Sequence, residues 1–152
     1  MKFNFFLLLL MAVLLSGYSN SNILQFNDND IEIELIASST NDINKSYTIE
    51  VSNEGEVEIR NLNFFIYYPL VQPNGSKGNP FKIEGRTDAS KPINLKPREK
   101  VTYSITAPIK EVFGDSNLLD FNDPQVELIG TVKQGEDEVP FRMSGGYIHG
   151  NE

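Results

Sequence analysis

Several hard oxygen donors fall in one loop of the sequence, Asp115 to Asp123. Asp115, Asn117, Asp120 and Asp123 are the candidate calcium ligands there, because calcium takes carboxylate and amide oxygens. The EF-hand spacing fails: Asp120 stands where that loop needs Gly, and Val126 where it needs a bidentate Glu. Asp and Asn also bond to their own backbone in turns, so a solvated loop is the competing reading, here and at Asn27–Asp30. His149 is the one histidine and lies in a Gly-flanked C-terminal segment, read as a frayed end. A catalytic imidazole needs a fixed partner and a pocket, so no catalytic role is expected of it. Cysteine is absent, which removes disulfides, thiol catalysis and Cys-based metal sites. Carboxylates are plentiful, yet nothing in their spacing singles out a facing pair of the kind glycoside hydrolysis uses. The chain is therefore expected not to be an enzyme, and to carry no cofactor unless calcium. Asn44-Lys45-Ser46 and Asn74-Gly75-Ser76 match the glycosylation pattern, and Asn74-Gly75 reads better as a turn. The remaining chemistry is aromatic. In the run Phe64–Tyr68, Phe65 and Tyr67 share one side of an expected strand. Either neighbouring elements cover that side, or the two rings form an exposed pair suited to a protein or glycan partner.

These residues sit in a chain of 152, enough for one domain and a targeting segment. Thirteen Lys and Arg against 21 Asp and Glu give a net charge of −8. That balance argues against nucleic acid, whose phosphates call for concentrated positive charge. It argues equally against adsorption to anionic lipid.

Residues 1–19, MKFNFFLLLLMAVLLSGYS, have the layout of a secretory signal helix. Lys2 supplies the positive start, Phe5–Leu15 the apolar centre, and Gly17 and Ser19 the small residues before a cut. The apolar run is short for a membrane span, which needs about 20 residues. A secreted or extracytoplasmic location is expected, with an uncleaved, membrane-anchored form as the alternative. Leu15-Ser16-Gly17-Tyr18 resembles a bacterial lipoprotein box in which Tyr18 replaces the lipid-bearing Cys. A phenol cannot form the thioether, so lipidation is not expected.

The rest of the chain must hold the candidate residues in place. Residues 20–30 form a polar lead-in, and 31–149 form one domain. Period-two alternation predicts strands at 31–37, 46–52, 57–68, 99–107, 125–133 and 138–143, with a short edge strand at 81–84. Tyr47–Tyr68 reads as a β-hairpin turning at Asn53-Glu54-Gly55. Between Ile59 and Leu62 the alternation slips by one, the mark of a β-bulge near Arg60-Asn61. Residues 71–80 read as a long loop, 109–113 as one helical turn, and Ser144-Gly145-Gly146 as a loosening of the chain. About seven strands with frequent turns predict an all-β, antiparallel sandwich.

Val51-Ser52-Asn53-Glu54-Gly55 resembles the "V-x-N-x-G" segment of bacterial and archaeal immunoglobulin-like modules of the cell-adhesion-related and late-embryogenesis water-stress types. Leu95-Lys96-Pro97-Arg98-Glu99 resembles their strand-opening turn, with Arg98 in place of the usual Gly. That departure implies a turn without positive φ at residue 98. The resemblance implies an immunoglobulin-like sandwich used for adhesion, scaffolding or accessory binding. The expected function is a small exported module that binds a protein or envelope component without catalysis. The alternatives are a calcium- or carbohydrate-binding sandwich using residues 115–123, and a degenerate hydrolase-accessory domain. Contact with a membrane is expected only if the N-terminal segment stays attached.

Overall fold

Strands form where the alternation is cleanest. In the computed structural model, which describes residues 26–114 and 117–149, they are β1 (Ile31–Thr40), β2 (Lys45–Asn53), β3 (Ile59–Tyr67), β4 (Leu70–Gln72) and β5 (Gly75–Lys77). They continue as β6 (Ile83–Glu84), β7 (Lys100–Ala107), β8 (Gln125–Gln134), β9 (Asp137–Gly145) and β10 (Ile148–His149). One helical turn, α1 (Ile109–Val112), follows β7. The signal segment 1–19 and the first half of the lead-in lie outside the described residues. The second half ends in a 3-10 turn, Asp28–Asp30, capped by Asn27 Oδ1 accepting from Asn29 N (3.2 Å).

Two four-stranded sheets pack face to face, in the orders β10-β1-β2-β7 and β6-β3-β8-β9. The fold is thus an all-β sandwich. The inward positions are apolar on both sheets: Ile33, Tyr47, Ile49, Val51, Val101, Tyr103 and Ile105 face Leu62, Phe64, Ile66, Val126, Leu128 and Val132. Tyr103 of β7 stacks on Phe64 of β3 across the gap, ring centroids 4.9 Å apart.

The expected hairpin between 46–52 and 57–68 does not form. β2 and β3 belong to different sheets, and residues 54–58 cross from one to the other. Both edges of β2 are taken, by β1 and β7, so β3 pairs with β6 and β8 instead. The apolar faces of the two strands meet through the core, which buries more surface than pairing in one plane would. Asn53 makes the crossing. Its Nδ2 donates to Val57 O (2.8 Å) and Leu95 O (3.0 Å), and its Oδ1 accepts from Gly55 N (3.2 Å). Gly55 lies close to Asp30: a Cβ there would stand 2.9 Å from Asp30 Oδ2 and 3.0 Å from its Cβ, so a larger residue would have to displace that side chain.

The bulge lies where the phase slips. Arg60 pairs with Thr131 and Asn63 with Ile129, so one extra residue sits on β3, with Asn61 at φ 52°. Ile59 and Leu62 consequently both face the core. A second bulge, between Leu35 and Ala37, lets β1 run to Thr40, beyond the expected 37.

Arg98 does not avoid positive φ: it stands at φ 67°. Its N–H donates to Asn53 O (2.7 Å) and its guanidinium reaches Glu54 (3.0 Å). The backbone bond fixes the turn geometry whichever residue occupies it. The 71–80 segment is not all loop, because β4 and β5 pair about Pro73-Asn74. Nor is the C-terminal segment frayed through residue 149. β9 continues to Gly145, and β10 then adds to the edge of β1 in parallel, Glu34 opposite Ile148 and Leu35 opposite His149.

Candidate binding face

The two outward faces differ in chemistry. On β1, β2 and β7 the cross-strand rows are Ser39-Ser46-Thr106, Ala37-Thr48-Ser104, Glu34-Glu50-Thr102 and Glu32-Ser52-Lys100. Apart from Ala37, these rows are short hydroxyls and charges, with Lys100 Nζ bound to Glu50 Oε1 at 2.7 Å. The face of β6-β3-β8-β9 instead carries Phe65, Tyr67, Glu127, Ile129, Arg142 and Ser144. β3 lies inside this sheet, flanked by β6 and β8, yet its outward side has no third layer over it among the described residues. Phe65 and Tyr67 are accordingly half-buried.

Beside them Glu127 is only 3% exposed, although its position on β8 points away from the core. Phe65 lies opposite it in register. Glu127 Oε2 accepts from Lys82 Nζ, from Arg142 Nε (2.9 Å) and Nη2 (2.7 Å), and from Ser144 Oγ (3.3 Å). Burial alone would raise the carboxyl's pKa, but the bonds from Lys82 and Arg142 outweigh it and hold the pKa below its ordinary value. Lys82 Nζ also stands 5.5 Å from the centroid of the Tyr67 ring. A shallow cleft of about 410 Å³ opens here, with Asn79 and Pro80 as its wall. Asn79 is fixed, its Nδ2 donating to Tyr68 O (3.0 Å) and its Oδ1 accepting from Phe81 N (2.9 Å). The patch thus has two half-exposed aromatic rings beside charges already locked in place.

Nothing in the spacing of Lys82, Glu127 and Arg142 marks them as neighbours. Glu127 occupies an ordinary polar position of an alternating strand, and its two cations arrive from 45 residues upstream and 15 downstream. The only sequence signal was the outward parity shared by Phe65 and Tyr67.

The calcium candidates are placed as follows. Asp115 lies outside the described residues, and Asn117 is exposed. Asp120 Oδ1 accepts from Asn122 N (3.0 Å), and Asp123 Oδ1 from Gln125 Nε2 (2.9 Å). Those are the local turn bonds expected of a solvated loop. Among the described residues no group of three or more His, Cys, Asp or Glu is placed to hold a metal ion.

No protein-family profile matches the sequence, and no curated protein matches it. Among solved structures, two of a β-glucosidase from Kluyveromyces marxianus, one selenomethionine-labelled and one with glucose, align over 78% of this chain. Their identities are 16% and 14%, and their TM-scores 0.33 and 0.36. The aligned part spans only 14–15% of the β-glucosidase chains.

Proposed function

We propose that this chain is a small exported, non-catalytic, immunoglobulin-like module that binds a protein or cell-envelope component. The outer face of β6-β3-β8-β9 is its recognition surface, with Phe65 and Tyr67 as the apolar contacts. The observation that carries this reading is the asymmetry of the two outer faces. One carries mainly short hydroxyls and charges in its cross-strand rows and no aromatic ring, and the other sets two half-exposed aromatic rings beside a fixed ion cluster. Aromatic and arginine side chains held rigid by their neighbours give contact area at little entropic cost. The lowered pKa of Glu127 favours a structural anion over a proton-transfer group, which would be tuned toward neutrality. Export rests on the layout of residues 1–19. The immunoglobulin-like assignment is supported by the crossing from β2 to β3 and by the Asn53-to-Gly55 motif at that crossing.

The test is capture of partners from a cell-envelope fraction by the wild-type chain and by Phe65→Ala with Tyr67→Ala. Truncating half-buried rings costs about 1 kcal/mol each, so cooperative unfolding should persist. A fall in capture of about tenfold or more is expected. Undiminished capture by the folded variant sinks the proposal.

A further inference from the structure

We propose that the cleft beside Tyr67 is a glycan subsite, which holds a neutral sugar ring of the envelope partner through two adjacent hydroxyls. The proposal rests on the recognition face assigned above and names the chemistry of what that face binds. Glu127 carries it. The donors from Lys82, Arg142 and Ser144 all converge on Oε2, and no described donor reaches Oε1. Among the described residues, the one fully buried side-chain nitrogen or oxygen without a partner is the Tyr103 hydroxyl. Oε1 is therefore not sealed in. Glu127 lines the cleft, and its unused oxygen opens there. Arg142 is only partly committed as well. Its Nε and Nη2 donate to Oε2, its Nη1 meets no described acceptor, and its side chain is 62% exposed. One ion cluster thus offers the cleft a fixed acceptor and a fixed donor.

Complementarity selects the occupant. The lining holds both signs of charge, Lys82 and Arg142 against Glu127. An anionic group entering it would meet the open carboxylate oxygen, and a cationic group would meet two cations. A neutral group that both donates and accepts avoids each penalty and leaves no charge newly buried. Neighbouring hydroxyls of a sugar ring are such a group: one donates to Oε1 and the other accepts from Nη1. Five of the eight lining residues are polar or charged, so the cleft has no dry pocket for the anchoring side chain of a protein partner. Tyr67 is the one aromatic ring in the lining and gives the sugar's C–H groups an apolar contact. The volume of about 410 Å³ lies within the range of small-molecule clefts. Because the cluster is already tied together, binding a sugar orders few further side chains.

The experiment offers the purified full chain a cell-envelope fraction before and after treatment with periodate, which splits the carbon–carbon bond between adjacent hydroxyls. A fall in capture of about tenfold or more is expected after periodate. Capture should survive about 1 M salt, where exposed charge attraction is screened within about 3 Å. Arg142→Lys keeps a cation on Glu127 and removes Nη1. It should melt cooperatively and lower capture about tenfold, the worth of one hydrogen bond to a charged group. Capture that survives periodate overturns the proposal. If protease then removes that capture, the partner is a protein and the recognition face still stands. Capture abolished by salt also overturns the proposal, assigning the cleft to an acidic glycan. Undiminished capture by folded Arg142→Lys overturns it too. The recognition face itself fails only if the Phe65 and Tyr67 variant captures as the wild type does, or if the wild type captures nothing, in which case both readings fall.

Discussion

Tyr103 shows how far one residue can be read from its neighbours. The alternation of Val101, Tyr103 and Ile105 points its ring inward, and the ring is 2% exposed against Phe64. Its hydroxyl, however, is buried with no hydrogen-bond partner among the described residues. Tyr47 and Tyr68 are also inward, but their hydroxyls bond each other at 3.1 Å. The difference between them depends on what lies across the core, which no local pattern encodes. A buried hydroxyl left unpaired costs about 1–3 kcal/mol. Tyr103→Phe keeps the ring and removes the unpaired oxygen. It should therefore raise stability by about 1 kcal/mol in chemical denaturation. A loss of stability would show that the hydroxyl has a bonding role.

The β2–β3 crossing is the corresponding case at the scale of elements. Two strands and an Asn-Glu-Gly turn are what a hairpin requires, and locally the sequence satisfies a hairpin. The choice is made by competition for edges: β1 and β7 occupy β2 on both sides, and the core rewards stacking the two apolar faces. Asn53, 2% exposed, holds the connection through three side-chain bonds. Asn53→Ala leaves two buried carbonyls and one N–H without those partners. It should cost about 3 kcal/mol, measured as a shift in denaturant midpoint at constant slope. A cost under about 1 kcal/mol would mean that packing alone sets the crossing. The β3 bulge, by contrast, was legible, because a change of parity between Ile59 and Leu62 has one geometric solution.

At the scale of the whole molecule the buried phenols set the alkaline limit. Desolvation raises the pKa of Tyr103 and Tyr147 to about 12, against an ordinary value of 10.0. Tyr47 and Tyr68 are raised as well, first by burial; their mutual bond then lowers Tyr47 and further raises Tyr68. A folded-state value above the unfolded one means stability is complete below pH 10 and is lost as pH rises toward 12. Glu127 works in the other direction. Its contribution is present above its ordinary value of 4.5 and is lost as pH falls through the lower folded-state value. Thermal midpoints should therefore decline at both ends, and Tyr103→Phe should make the alkaline decline shallower. An alkaline limb unchanged in that variant would remove Tyr103 from the account.

Several things followed from the order of residues alone. Alternation determined the strands and their inward faces, because side chains in a strand change sides at every residue. The acidic balance and the absence of cysteine narrowed the chemistry in the same local way. The tertiary structure decided which strands share a sheet, because hydrogen-bonding edges are limited and each can be used once. It also buried Glu127 between Lys82 and Arg142. That cluster brings together residues far apart in the chain, and such proximity is fixed only when the sheets pack.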